Sequence, residues 1–329
     1  MLMNILNELK GCRTIAVSGH ERPDGDCVGS CMGLAQFLYR AMPDARIDVF
    51  LESISDALEE HIAGAEKINH SYQTDIEAYD AFVCLDCEKT RLGASEPIFD
   101  RARRTINIDH HVSNPGCGDV NYVVPEASSS CELVFNVLDP EGTGAPFMNE
   151  ETARNLYIGM VTDTGVFRYS NTGRRTMEIA GYLMTFGFDY PTLVRDIFYE
   201  KTIAQQRITA RVLLDSALYC EGAVLAGIAD KETVARYGAS DSDLDGISSQ
   251  MVLTRGVECS VFLHELPDGR YKGSLRSNNY VDVARVCESL GGGGHVRAAG
   301  FTADGDPQVL LQNIIEAVSA QLAAEKNRK

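Results

Sequence analysis

Thr105-Ile106-Asn107-Ile108-Asp109-His110-His111 is a short apolar run that ends on a carboxylate and two imidazoles. Such groups are costly to bury unpaired, so their arrival at the end of a strand-like segment predicts a site. Three other apolar segments finish the same way. Thr14-Ile15-Ala16-Val17-Ser18-Gly19 runs into His20, Asp24 and Asp26, Ala81-Phe82-Val83-Cys84-Leu85 runs into Asp86, and Leu156-Tyr157-Ile158-Gly159-Met160-Val161-Thr162 runs into Asp163. Four elements each deliver an Asp or a His to one end.

Around them the first half alternates strand-like runs at 14–18, 47–51, 81–85 and 105–108 with helical patterns at 29–41, 55–62 and 129–138. Helical stretches follow at 150–163 and 176–186. That rhythm predicts an α/β fold with a doubly wound, mainly parallel sheet, which binds ligands at the carboxyl ends of its strands. Residues 190–219 read as one continuous helix, a connector. Beyond it, strands at 223–229, 257–263 and 270–276, a hairpin signal at Pro267-Asp268-Gly269, a glycine-rich turn at 289–300 and an amphipathic helix at 307–325 describe a smaller α/β domain. The expected organisation is a first domain over 1–190, a helical linker over 191–219 and a second domain over 220–329.

At 329 residues the chain is too long for one ordinary core, and its 44% hydrophobic and 23% charged content is that of a folded protein. The first ten residues lack the features of a signal peptide, and no run of about 18 apolar residues occurs, which argues against a membrane partner. Ten cysteines at scattered spacing give no disulfide framework and suit a reducing cytoplasm. A net charge of −17 disfavours long nucleic acid, whose phosphates call for a basic face. It is compatible with a short anionic substrate neutralised locally by metals and a few arginines.

His20, Asp24, Asp26, Asp86, His110 and Asp163 together offer four carboxylates and two imidazoles. Oxygen donors with a minority of imidazole suit Mn²⁺, or Mg²⁺, better than structural zinc. Six groups exceed the needs of one ion and suit a two-metal centre, in which one carboxylate bridges ions about 3.5–4 Å apart and a hydroxide attacks phosphorus in line. Asp86, alone at the end of an expected central strand, is the natural bridge, and Gly25 lets Asp24 and Asp26 diverge. Taken singly these residues also suit strand-end turns and helix caps, as Asp26 would before the following helix. Taken together they do not.

The segments His20-Glu-Arg-Pro-Asp24-Gly-Asp26, Leu85-Asp86, Asp109-His110-His111 and Thr162-Asp163-Thr164-Gly165 resemble the ordered motifs of the DHH phosphoesterase superfamily. Gly291-Gly-Gly-Gly-His295-Val-Arg-Ala-Ala-Gly300 resembles the signature of its DHHA1 domain. The resemblance covers nearly the whole chain. It is strongest to the NrnA-type group, manganese-dependent oligoribonucleases that cut very short RNA and also dephosphorylate 3′-phosphoadenosine 5′-phosphate. It implies that His20, Asp24 and Asp86 hold one metal, and that Asp26, Asp86, His110 and Asp163 hold the other. It further implies catalytic roles for His111, beside the scissile phosphate, and for Asp109, which orients its neighbours. A homodimer is a family expectation.

In the second domain, the glycine run can turn backbone N–H groups toward an anion, with His295 adding a donor. Gly293, Gly294 and His295, with Arg276 and Ser277 after a strand, are the expected substrate-binding residues, since a guanidinium grips phosphate in bidentate fashion. A terminal phosphate held there would act as a ruler for short oligonucleotides. Cys84-Leu85-Asp86-Cys87 has zinc or redox spacing without a second pair, and reads as packing thiols. Asp241-Ser-Asp243-Leu-Asp245-Gly246 starts like a calcium loop but has Val252 where Glu is needed. His61, His70 and His264 read as surface or packing residues. The expected activity is a manganese phosphodiesterase and 3′(2′),5′-bisphosphate nucleotidase acting on short oligoribonucleotides and small phosphorylated nucleotides. The alternatives are a phosphodiesterase of linear or cyclic dinucleotides and a non-catalytic nucleotide sensor.

Overall fold

The computed structural model describes residues 3–326. Its elements divide into two compact units, Met1–Glu200 and Lys201–Lys329.

In the first unit the strands are β1 (Thr14–Ser18), β2 (Arg46–Phe50), β3 (Ala81–Leu85), β4 (Thr105–Asp109) and β5 (Val120–Val123). The helices are α1 (Ile5–Glu8), α2 (Gly25–Ala41), α3 (Asp56–His61), α4 (Glu96–Arg101), α5 (Ser130–Leu138), α6 (Glu150–Asp163), α7 (Arg174–Met184) and α8 (Tyr190–Val194). All five strands pair in parallel in the order β2-β1-β3-β4-β5. The apolar runs are short and uninterrupted because both faces of the sheet are covered. Ala81, Val83 and Leu85 point into the main core, while Phe82 and Cys84 point into a smaller one with Phe50, Tyr79 and Phe99. The chain leaves β1 for β2 on one side and returns to β3 on the other. That reversal opens a crevice at the carboxyl ends of β1 and β3, where open α/β sheets bind ligands.

α2 and α6 approach closely through glycines. A Cβ on Gly159 would lie 2.2 Å from Cys131 Sγ and 2.8 Å from Asp26 Oδ1, so no larger residue fits there without displacing Asp26. This contact brings the start of α2 beside the end of α6. Asp163 therefore reaches the sheet edge on a helix, whereas Asp86 and Asp109 arrive on strands.

The second unit holds α9 (Ile203–Asp215), β6 (Ala217–Tyr219), β7 (Val224–Ala229), α10 (Lys231–Arg236), α11 (Ile247–Val252), β8 (Cys259–Glu265), β9 (Tyr271–Ser277), α12 (Val283–Glu288), β10 (Gly293–His295), β11 (Ala298–Ala303) and α13 (Pro307–Lys326). Its sheet order is β10-β11-β9-β8-β7-β6, with β7 and β8 parallel and the other pairs antiparallel. Residues of α12 and α13 share a core with Leu275, while α9 and α11 share one with Phe262.

Two expectations are corrected. The stretch 190–219 is not one helix: α8 passes into a π-turn at Arg195–Tyr199, Glu200 is extended, and Thr202 starts α9 by accepting a hydrogen bond from the Gln205 amide. α9 then buries Ile208 and Val212 against Leu225, so packing with the second unit decides where helix resumes. The glycine-rich stretch is not a free turn either. Gly293–His295 pairs with Ala298–Gly300 as a hairpin, and a Cβ on Gly292 would meet Gly300 O at 2.2 Å. A close backbone approach demands glycine there.

Glu258 organises the loop that follows β9. Its buried carboxylate accepts hydrogen bonds from the amides of Asn279, Tyr280 and Val281 and from the Asn279 side chain. Burial opposes its charge, but these donors hold the carboxyl below the ordinary carboxylate range. Glu258→Leu strands four donors and is expected to cost about 3 kcal/mol or more, measured by urea unfolding of the full chain. A loss below about 1 kcal/mol would contradict this account.

Candidate metal centre

At the end of β1, His20 is held by Nδ1 against the Glu21 carbonyl oxygen at 2.8 Å, and its Nε2 lies 3.4 Å from Asp86 Oδ2 and 3.8 Å from Asp24 Oδ1. Asp24 caps α2, accepting hydrogen bonds from the amides of Asp26 and Cys27, and its side chain is half exposed. Asp26, fully buried, points at the start of α5, where it accepts from Ser130 N at 2.6 Å and Cys131 N at 3.0 Å. Unpaired N–H groups at a helix start are natural partners for an anion.

Asp86 follows β3 with φ of 60°, while its amide still bonds to Ile108 O of β4. Its Oδ1 accepts from Ser130 Oγ at 3.0 Å. Ser130 thus braces two carboxylates at once. Ser130→Ala is expected to weaken divalent-ion binding by about tenfold, measured by calorimetric titration. An unchanged affinity would count against that bracing role.

His110 and His111 follow β4, and Asp109 separates their tasks. Asp109 accepts from both of their amides, from His111 Nδ1 at 2.8 Å and from Asn114 Nδ2 at 2.5 Å. Burial alone would raise its pKa, yet these donors hold it below the ordinary carboxylate value. The bond to His111 Nδ1 leaves Nε2 of that ring, on a side chain 38% exposed, for a ligand. His110 turns inward: its Nδ1 lies 3.3 Å from Ala127 O, and its Nε2 lies 3.0 Å from Asp163 Oδ2, 3.7 Å from Asp86 Oδ1 and 3.9 Å from Asp26 Oδ2.

The electrostatics of this cluster ask for cations. Burial first, then repulsion from Asp163 and Asp24, pushes Asp26 up to about 7 against the pull of His110. Burial first, then Asp26, Asp24 and Asp163, raises Asp86 well above the carboxylate range. Burial disfavours a charged His110, but Asp163, Asp26 and Asp86 raise it to about 10. Burial also opposes His20, which Cys27, the Glu21 carbonyl and Asp24 raise to about 10. Three carboxylate oxygens lie within 4 Å of the buried Nε2 of His110, the nearest, Asp163 Oδ2, at 3.0 Å but not aligned for a good hydrogen bond. One buried imidazole and three carboxylates crowd a single space. Asp26, His110 and Asp163 offer ligand atoms within 4.8 Å of one another, as do Asp86, His110 and His111, and also His20, Cys27 and Asp86. The donor set fits divalent cations.

Of the residues expected from sequence, His20, Asp24, Asp26, Asp86, Asp109, His110, His111 and Asp163 lie together. Arg276, Ser277, Gly293, Gly294 and His295 belong to the second unit. Arg276 sits on β9 opposite Ala298 and Ser260, and its Nη1 donates to Leu275 O. Ser277 is buried and its hydroxyl donates to Val281 O, so it shapes the loop at 278–281. Arg297 ties the same loop through Val281 O and Asn279 O. His295 is exposed at the end of β10, and Gly293 and Gly294 precede it. A cavity of about 900 Å³ lies beside the loop at 278–281, lined by residues 252–258, 278–280 and the end of α13.

Sequence reasoning missed Ser130, Cys131, Asn114 and Cys27. A helix-start signal at Ser128-Ser129-Ser130 was available for the first two, and Ser129 does cap α5. Among the described residues, no helix is long and apolar enough to cross a membrane.

The chain matches the DHH family, N-terminal domain, over residues 14–160 and the DHHA1 domain over residues 224–324. It is 28% identical to the bifunctional oligoribonuclease and PAP phosphatase NrnA of Thermus thermophilus, over 98% of this chain and 94% of that protein. It is 25% identical to the cyclic-di-AMP phosphodiesterase GdpP of Bacillus subtilis, over 87% of this chain and 44% of that one. The crystal structure of an exopolyphosphatase-related protein from Bacteroides fragilis is similar with a TM-score of 0.86 and 26% identity, over 96% of this chain and 94% of the other.

Proposed function

Because this chain belongs to the DHH family of hydrolytic phosphoesterases and carries a DHHA1 domain, we propose that it is a two-metal hydrolase of very short RNA and of 3′-phosphoadenosine 5′-phosphate. The products are nucleoside 5′-monophosphates in the first case, AMP and phosphate in the second. The observation that carries this reading is the convergence of Asp26, Asp86 and Asp163 within 4 Å of the buried Nε2 of His110. Similarity over nearly the full length to an oligoribonuclease and PAP phosphatase supports the choice of substrates.

We assign His20, Asp24 and Asp86 to one ion, and Asp26, Asp86, His110 and Asp163 to the other. The carboxylate-rich donors favour Mn²⁺, with Mg²⁺ as the alternative. When bound, two such ions would supply an activated water near neutral pH and neutralise charge on the reacting oxygens.

The chain's own groups position the substrate. His111 donates its Nδ1–H to Asp109, which fixes the ring before the substrate arrives; Nε2, when it is protonated as well, donates to a phosphate oxygen. Asp109 stays charged and holds the ring. Arg276 and His295 take a terminal phosphate, Gly293 and Gly294 admit it close to the backbone, and Ser277 keeps the adjoining loop in shape. Binding one end in this way orients a short oligonucleotide. The −17 net charge works against a long one.

The test is product analysis with the purified, metal-loaded chain over pAp, pApA, a pentanucleotide RNA, a long RNA and a cyclic dinucleotide, in Mn²⁺ and in Mg²⁺. Turnover of pAp and pApA that falls steeply with length supports the proposal. Equal turnover of the long strand sinks it. Hydrolysis of dinucleotides with pAp untouched favours a dinucleotide phosphodiesterase, the reading suggested by similarity to GdpP. Binding without turnover of any substrate points to a sensor.

A further inference from the structure

We propose that Cys27 supplies a sulfur ligand to the metal position defined by His20 and Asp86, so that the two positions of the centre differ in metal preference. The inference rests on the metal-dependent reading above.

The ligand atoms of His20, Cys27 and Asp86 lie within 4.8 Å of one another, and all three residues are buried. Among the described residues, no group of three or more donors that tight includes Asp24. One oxygen of Asp24 is committed to the amides of Asp26 and Cys27, and the side chain is 53% exposed. Asp24 therefore meets the position from the exposed side, and Cys27 meets it from the buried side.

The thiol is held in place. Cys27 lies in the first turn of α2, packed under the strand end at Gly19, where a Cβ would come within 2.3 Å of its sulfur. His20 is fixed by the bond between Nδ1 and Glu21 O, which turns Nε2 toward Asp86. Two hard or borderline donors and one soft donor then face the same space.

The consequence is asymmetry. Thiolate selects thiophilic first-row ions such as Zn²⁺ or Co²⁺, whereas the position of Asp26, Asp86, His110 and Asp163 is dominated by carboxylates and suits Mn²⁺ or Mg²⁺. On binding, the thiol proton passes to solvent and the sulfur–metal bond forms.

The probe is Co²⁺ added to the metal-free full chain. The wild type is expected to show a near-ultraviolet thiolate-to-cobalt charge-transfer band together with visible ligand-field bands. Cys27→Ser and Cys27→Ala should lose the first and keep the second, while Cys31→Ser, at a buried thiol one helical turn on, should keep both. Zn²⁺ affinity should fall about 10- to 100-fold in Cys27→Ser while Mn²⁺ affinity changes little. Wild-type protein with ligand-field bands and no charge-transfer band overturns the inference but leaves the metal centre standing, as does a band that survives Cys27→Ser. No cobalt binding at all overturns both.

Discussion

Asp86→Asn is expected to lower the rate of pApA hydrolysis by about 10³-fold or more, while the metal-free protein unfolds at the wild-type temperature or above. Asp86 is placed against all three imidazoles of the centre, 3.4 Å from His20 Nε2, 3.7 Å from His110 Nε2 and 3.7 Å from His111 Nδ1. Replacing its charge weakens both metal positions at once, where the loss of Asp24 would weaken one. The folded chain has little use for that charge without metal. Burial and the neighbouring Asp26, Asp24 and Asp163 already favour the neutral carboxyl, and an amide of the same shape removes the repulsion. Asparagine can also accept the Ser130 hydroxyl hydrogen bond. It tolerates the left-handed backbone at φ 60°, where alanine costs about 1 kcal/mol. Initial rates with saturating Mn²⁺, paired with melting curves with and without the ion, check both halves. A variant within tenfold of wild-type rate would remove Asp86 from the bridge.

Metal-free protein is expected to lose stability as pH rises from about 4 to about 10, and saturating Mn²⁺ is expected to reverse that trend. Asp26 is raised from 3.8 to about 7, so its contribution is fully present below the lower value and is lost as pH climbs through the upper one. His20 and His110 are raised from 6.5 to about 10, so their contributions hold below 6.5 and are lost toward about 10. All three shifts act in one direction: alkaline conditions leave unprotonated carboxylates crowded together without a countercharge. Divalent ions replace the protons, so their stabilisation grows with pH. At about 100 times Kd for both positions they contribute about 5 kcal/mol, which raises Tm by about 10 °C or more for a domain of this size. Scanning fluorimetry across this pH range, in chelator and in Mn²⁺, measures both slopes. Higher stability at alkaline pH in chelator, or no response to Mn²⁺, would contradict the electrostatic account.

Much of the site was readable as spacing. His20, Asp86 and His110 each follow an apolar run of five or so residues, and in a parallel sheet such runs end at one edge. Asp163 was readable for a different reason, since it terminates a helix whose start is capped by Asn149. The glycine run at 291–294 reads locally as a turn, because the sequence alone does not show the strand pairing that brings Gly292 against Gly300. The supposed connector failed similarly. Helical periodicity carries across Glu200 and Thr202, but only packing against Leu225 shows that a new helix begins there.

The order of the elements, the edge of the sheet that carries the chemistry and the donor types gathered there are set by local patterns, because apolar run length and the residue that ends each run act over a few positions. The division of labour inside the centre is set by contacts far apart in the chain. Ser130 and Cys131 reach back more than a hundred residues to hold Asp26, and Cys27 meets Asp86 beside His20. Such pairings depend on helix packing at Gly159 and on which carboxylates burial gathers around Nε2 of His110. Neither leaves a trace in the spacing of residues along the chain, since both are fixed only when the whole unit excludes water.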